Sequence, residues 1–146
     1  MTRLYVSRFF YPPGDVPDGY YVRDEVFTKE QGFASPDTDQ HDPSSIHLVI
    51  YDEDRPVATA RVFSLQDNKC SYKLGRIAVL KAYRGKNLGR RLMEEMEDLI
   101  KIMGGKRVYI SAQCQAQPFY QRLGYTAYGE VYLDEHCPHI DMEKYL

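Results

Sequence analysis

Val79-Leu80-Lys81-Ala82-Tyr83-Arg84-Gly85-Lys86-Asn87-Leu88-Gly89-Arg90-Arg91 joins an apolar run to the start of an amphipathic helix. Upstream, Ile77-Ala78-Val79-Leu80 reads as the end of a strand that begins near Ser71. Downstream, Leu88, Leu92, Met96, Leu99 and Met103 mark one apolar helix face, and Arg91, Glu94, Glu95 and Asp98 lie largely off it. A strand, a glycine-containing turn and a helix N-terminus present unpaired backbone N–H groups to one point. The helix dipole adds positive potential there, so the place favours a phosphate. Lys81, Arg84, Lys86, Arg90 and Arg91 fall in this stretch with no acid among them. A solvated basic turn before a surface helix has the same pattern, so the segment alone leaves both readings open. It is neither a Walker loop nor a dinucleotide fingerprint, because the required glycine spacings are missing.

Outward from this loop the chain alternates helices and strands. Asp18 is a candidate cap for a helix running to about Gln31, with Val22, Val26 and Glu30 at helical spacing and Phe27 beside them. A polar, acid-rich loop follows from Ser35 to Ser45, either mobile or lining a site. Ile46 to Tyr51 reads as a strand, Asp52 to Arg55 as a hairpin turn, and Val57 to Leu65 as a second strand. Glu97 and Lys101 are spaced to pair on the long helix, and Gly104-Gly105 stops it. Val108 to Ile110 is a short buried strand. A helix from about Ala116 to Leu123 ends at Gly124, and strands near Tyr125–Leu133 and Ile140–Tyr145 follow. Tyr11-Pro12-Pro13-Gly14-Asp15 reads as a turn or loop. The expected fold is α/β, a mixed sheet with helices packed against it.

The length of 146 residues fits one domain, 1–146. A hydrophobic share of 43% and a charged share of 27% are those of a globular protein. The net charge of −2 provides no global field for nucleic acid or an anionic membrane. Cys70, Cys114 and Cys137 are an odd, widely spaced set, which argues against a disulfide framework and for a reduced, cytoplasmic setting. No stretch is long and apolar enough to span a bilayer. His136, Cys137 and His139 fit no closed zinc site, so no metal is expected.

A second segment, Gln113-Cys114-Gln115-Ala116-Gln117-Pro118-Phe119-Tyr120-Gln121-Arg122-Leu123-Gly124-Tyr125, has an amide residue, then Ala, then Phe-Tyr, then Gly-Tyr. This order is similar to a motif of the GNAT superfamily of N-acetyltransferases. Arg84-Gly85-Lys86-Asn87-Leu88-Gly89 resembles the same superfamily's Arg/Gln-x-x-Gly-x-Gly/Ala loop, with Asn87 in place of its first glycine. Val22 to Gln31 and Tyr132 to Met142, the latter containing Pro138-His139 and Met142, resemble its ElaA-like branch. The resemblance runs from about residue 20 to the C-terminus. It implies a GNAT-like acyl-CoA N-acyltransferase fold, with a mostly antiparallel mixed sheet flanked by helices.

The resemblance also implies a co-substrate, acetyl-CoA, and an acceptor amine that is a small molecule or a peptide. Backbone amides of Arg84, Gly85, Lys86, Asn87, Leu88, Gly89 and Arg90 would hold the pyrophosphate. The strand Ile77-Ala78-Val79 would pair with the pantetheine arm, Gln113 would touch that arm, and Tyr120 would sit at the thioester sulfur. The N–H of Val79 is the candidate oxyanion donor and the Tyr120 hydroxyl the candidate acid. Glu30, Asp42 and His139 are candidates for the base; Asp42 is the least favoured of them. A non-catalytic acyl-CoA-sensing module is the alternative, and a homodimer is left open.

Overall fold

The computed structural model describes residues 3–146. Within them a seven-stranded sheet runs in the order β1-β2-β3-β4-β5-β7-β6. Its strands are β1 (Val6–Phe10), β2 (Ile46–Asp52), β3 (Arg55–Ser64), β4 (Ser71–Val79), β5 (Arg107–Gln113), β6 (Thr126–Asp134) and β7 (Cys137–Tyr145). The helices are α1 (Pro17–Arg23), α2 (Leu88–Ile102) and α3 (Gln117–Arg122). All neighbouring strands are antiparallel except β4 and β5, so the mostly antiparallel mixed sheet is as expected. β1 lies in the stretch left unassigned by pattern, because Val6 faces outward while Ser7 is half-buried. β5 and β7 are longer than their apolar runs, since β-sheet pairing with each other carries them through polar residues.

Both α1 and α2 cover β2, β3 and β4, so they take opposite faces. α1 lies close on the sheet: a Cβ at Gly19 would come within 3.1 Å of the Thr59 hydroxyl. α2 buries Leu88, Leu92, Met93, Met96 and Ile100 in one cluster with Leu48, Ile50, Ala58 and Leu74. Leu99 and Met103 are only partly buried, so the stripe is rotated towards Met93 and Ile100. Glu97 does not pair with Lys101. It is buried, accepts hydrogen bonds from Tyr125 Oη and Lys144 Nζ at 2.8 Å each, and ties α2 to the last strand. Gly104 (φ 84°) ends the helix as expected.

The first helix departs from the expected straight run to Gln31. It starts at Pro17 behind Val16, and Asp18 does not cap it; the Asp18 carboxylate instead accepts from the Tyr51 hydroxyl. From Asp24 to Glu30 the chain is a π-helix, closed by the bond from Gln31 N–H to Val26 C=O at 2.9 Å. This wider register keeps Val22 and Val26 buried while Glu30 stays exposed.

The acid-rich loop after this helix is pinned by three arginines. Arg23 Nη1 donates to Asp42 Oδ1 at 2.7 Å, and its Nε donates to Asp37. Arg61 donates to Asp39 at 2.6 and 2.8 Å and to Asp42 at 2.8 Å. Arg76 reaches Asp37 Oδ1 at 3.1 Å and Asp39 Oδ2 at 3.3 Å. Three cations and three carboxylates balance, which lets Arg23, Arg61 and Asp42 be buried.

At Arg76 the sheet changes course. Arg61 pairs with Gly75 and Thr59 with Ala78, so Ala60 on β3 faces both Arg76 and Ile77 on β4. This is a β-bulge, with Arg76 at φ 48°. β4 pairs with β5 only through Ser71, Tyr72 and Lys73, and beyond them the two strands part. At the far edge β6 and β7 also slip: Tyr128 pairs with Asp141 and Tyr132 with His139, leaving Gly129, Glu130 and Val131 opposite Ile140.

Burial alone would raise the Asp42 carboxyl, but hydrogen bonds from Arg23, the Asp39 N–H and Arg61 overcome it and hold the group below the carboxylate range. Its stabilisation is therefore complete above the ordinary aspartate pKa and is lost as pH falls through the lowered one. Asp42→Asn should cost about 3 kcal/mol at pH 7, the scale for breaking a buried ion pair. The gap between wild type and variant should close progressively below about pH 4. Urea unfolding of both proteins across that range checks this; a gap that persists at the lowest pH refutes the ionic account.

Candidate active site

The parted strands open a cleft of about 680 Å³, walled by Leu74 to Val79 on one side and by Ile110, Ser111 and Gln113 on the other. In an antiparallel ladder successive residues direct their N–H and C=O groups to opposite sides. Leu80 N–H donates to Val57 C=O on β3 at 2.9 Å. Val79 therefore turns its own N–H and C=O away from β3, towards the cleft. Its carbonyl accepts from Arg84 Nε at 3.1 Å.

One end of the cleft is the N-terminus of α2. Arg91 N–H makes the first intrahelical bond, to Asn87 C=O at 3.0 Å. The N–H groups of Leu88, Gly89 and Arg90 precede it and have no intrahelical acceptor. Asn87 holds the left-handed backbone (φ 62°, ψ 20°) and its side chain makes no capping bond. Gly85 (φ 78°) makes the other left-handed turn. Gly89 is small for a packing reason: a Cβ there would come within 3.3 Å of the Phe119 ring.

The five cations of the loop are not all free. Arg84 pairs with Glu30, Arg90 with Glu94 and Arg91 with Glu95, each at 2.6 Å. Among the described residues Lys81 and Lys86 make no ion pair, and both are exposed. The acids come from a neighbouring helix and from one turn further along α2, which the loop alone could not reveal.

Tyr120 projects from α3 into the cleft, 8% exposed, with its ring against Phe119 and Tyr125. Its hydroxyl has no hydrogen-bond partner among the described residues, and burial pushes its pKa up to about 12. It therefore keeps its proton near neutrality and has it to donate. His139 on β7 lines the cleft, buried, and lies against Tyr132. Its Nδ1 is 2.9 Å from the Cys137 carbonyl, which can only accept, so Nδ1 carries the hydrogen there. In the neutral ring Nε2 is then the acceptor.

Gln113 lines the cleft and donates to Gln31 Oε1 at 2.8 Å. Ile77, Ala78, Val79, Arg84, Gly85, Asn87, Leu88, Gly89 and Arg90 also line it, while Lys86 and Glu30 stand outside the wall. Glu30 reaches the cleft through Arg84. Asp42 lies in the arginine network and is not among the residues that line the cleft. Residues that pattern reading overlooked shape the far end. Glu135, at the β6–β7 turn, accepts from the N–H groups of Ala34 and Ser35 at 2.7 and 3.0 Å and so latches that loop over the cleft. Phe33 lies against Phe27 and His136.

A sheet parted beside a bulge, with a helix N-terminus at one end of the gap and a buried phenol beside it, is the architecture of a GNAT-fold acyltransferase. Residues 17–146 match the Acetyltransferase (GNAT) domain family, and the chain belongs to it. The N-acetyltransferase YjcF of Bacillus subtilis, itself uncharacterized, is 38% identical over 129 residues, 87% of this chain and 90% of that protein. Protein ElaA of Escherichia coli is 33% identical over 126 residues, 84% of this chain and 82% of ElaA. The crystal structure of Escherichia coli ElaA superposes with a TM-score of 0.87 at 28% identity, covering 97% of this chain and 99% of that one. An acyl-CoA N-acyltransferase from Pseudomonas aeruginosa gives 0.86 at 27% identity, with coverage of 97% and 99%.

Asn87 stands at a backbone position that a β-carbon disfavours by about 1–2 kcal/mol, which asparagine partly escapes. Asn87→Ala should lower unfolding stability by about 1 kcal/mol, while Asn87→Gly changes it little. Equal losses for both variants in urea unfolding would show that the Asn87 side chain, not its backbone, matters.

Proposed function

We propose that this acetyltransferase moves the acetyl group of acetyl-CoA to a primary amine by direct attack, with both substrates bound together. One observation carries the reading: a free strand-edge N–H at Val79, an uncommitted hydroxyl at Tyr120 and the open N–H groups of α2 all face a single cleft. The α2 N–H groups, Gly85 and the local cations suit a pyrophosphate. The free edge of β4 from Ile77 to Val79 suits an amide-bearing arm, with Gln113 across from it.

Each residue then has one task. Val79 N–H donates to the thioester oxygen as it gains charge. Nε2 of His139 takes the proton of the attacking amine, directly or through water, because Nδ1 is committed to Cys137. The C–S bond breaks as the C–N bond forms, and Tyr120 gives its proton to the departing thiolate. Glu30 is the weaker candidate for the base, since Arg84 occupies both of its oxygens. Asn87 holds the left-handed backbone a glycine would take, so it lends no support to a sensing module without turnover. The three cysteines, free among the described residues, suit a reducing, cytoplasmic compartment. No helix among those residues is long and apolar enough to cross a membrane.

Acetyl-CoA should raise the thermal midpoint, and dephosphorylated pantetheine should raise it much less. Equal shifts would sink the phosphate end of the site. A thiol-release assay over a panel of amines finds the acceptor; no release with any amine would favour binding without turnover. With the best acceptor, Tyr120→Phe should lower single-turnover kcat by about a hundredfold with little change in acetyl-CoA affinity. His139→Gln should lower it similarly. Wild-type chemistry in either variant removes that residue from the mechanism.

A further inference from the structure

Glu30 ends the π-helical segment, and its carboxylate grips Arg84 in a two-pronged pair: Nη1 donates to Oε2 at 2.6 Å and Nη2 to Oε1 at 2.7 Å. A guanidinium takes a phosphate in the same geometry. The third edge of Arg84 is engaged too, because Nε donates to Val79 C=O at 3.1 Å. Arg84 is therefore folded back from the turn onto the parted edge of β4. It covers the carbonyl of the very residue whose N–H faces the reacting end of the cleft. The hydrogen bond from Arg84 holds the Glu30 carboxyl below its ordinary range, with the charges of Arg84 and Lys81 adding to it. The carboxylate thus stays ionised and attached to Arg84 throughout the neutral range.

We propose that Glu30 is a built-in competitor for the phosphates of the acyl donor: it straps Arg84 across the free edge of β4, and the donor binds by taking Arg84 from it. The proposal rests on the acetyl-CoA reading above. Uptake of the donor exchanges one bidentate partner of Arg84 for another and uncovers Val79 C=O for the donor's arm. Departure of the product runs the exchange backwards, with Glu30 reclaiming Arg84. Glu30 is then a positioning residue and not the proton acceptor. Removing it should tighten donor binding, whereas removing a base leaves affinity alone and slows chemistry.

The test titrates CoA calorimetrically into wild type, Glu30→Gln and Glu95→Gln. Glu95 pairs with Arg91 on α2 at 2.6 Å, so its variant removes the same charge without touching the strand edge. Glu30→Gln should lower the Kd by about two- to fivefold, the range for an ion pair as exposed as this one. The gain should shrink at high salt, and Glu95→Gln should leave the Kd nearly unchanged. Glu30→Gln should also keep the acid limb of the kcat–pH profile. Unchanged or weaker CoA binding by Glu30→Gln overturns the strap, as does equal tightening in both variants. Loss of the acid limb would return Glu30 to the role of base. If wild type takes up no CoA, the donor reading fails and the strap with it; if wild type binds and Glu30→Gln does not tighten, the strap alone fails.

Discussion

The bulge in β4 is the constraint on which the rest depends. An unbroken β4 would pair with β5 along its whole length, and its N–H and C=O groups would be consumed by the sheet. Two residues opposite one at Ala60 bend β4 away after Lys73, and everything proposed for Val79 follows from that parting. The bulge sets Arg76, a residue with a β-carbon, in the left-handed region, which needs support from elsewhere. That support is visible: the Arg76 guanidinium reaches Asp37 and Asp39, which are also held by Arg23 and Arg61. A balanced set of charges, buried at Arg23, Arg61 and Asp42 and reaching the cleft wall at Asp37 and Arg76, thus braces the bulge beside which the cleft opens.

This division explains how much the sequence could tell. The loop from Val79 to Arg91 was legible because its signals are local: an apolar run, a glycine turn and a helical stripe lie within a few residues of one another. The place of Tyr120 in the cleft was legible only because its neighbours resemble a known motif, since nothing in Phe119-Tyr120 alone separates a cleft residue from a packed ring. The bulge was not legible. Ser71 to Leu80 reads as one strand, and the extra residue shows only when β3 is laid beside it. The arginine network was hidden for the same reason, its members being spread from Arg23 to Arg76. An arginine next to Val22 on a helix face that packs on the sheet was the one available hint.

Glu30 shows the limit in another way. Helical spacing from Val22 and Val26 placed it on a definite face, and its chemistry suggested a base. The π register and the partner on a distant loop changed its meaning, from a free carboxylate to half of an ion pair. His139 moved in the opposite sense. Its ring is packed against Tyr132, and the committed Nδ1 turns that packed ring into an oriented acceptor.

The slipped pairing of β6 against β7 has a consequence for life in a crowded solution. β6 is the outermost strand, and Val131 and Leu133 on it are exposed. A straight outer strand with such residues would template the addition of further chains, one ribbon after another, into open-ended polymers. Here Gly129, Glu130 and Val131 crowd opposite a single residue, so the outward row of hydrogen-bonding groups is interrupted midway along the strand. An incoming ribbon can find its register on only half of that strand at a time, which works against open-ended addition at this rim.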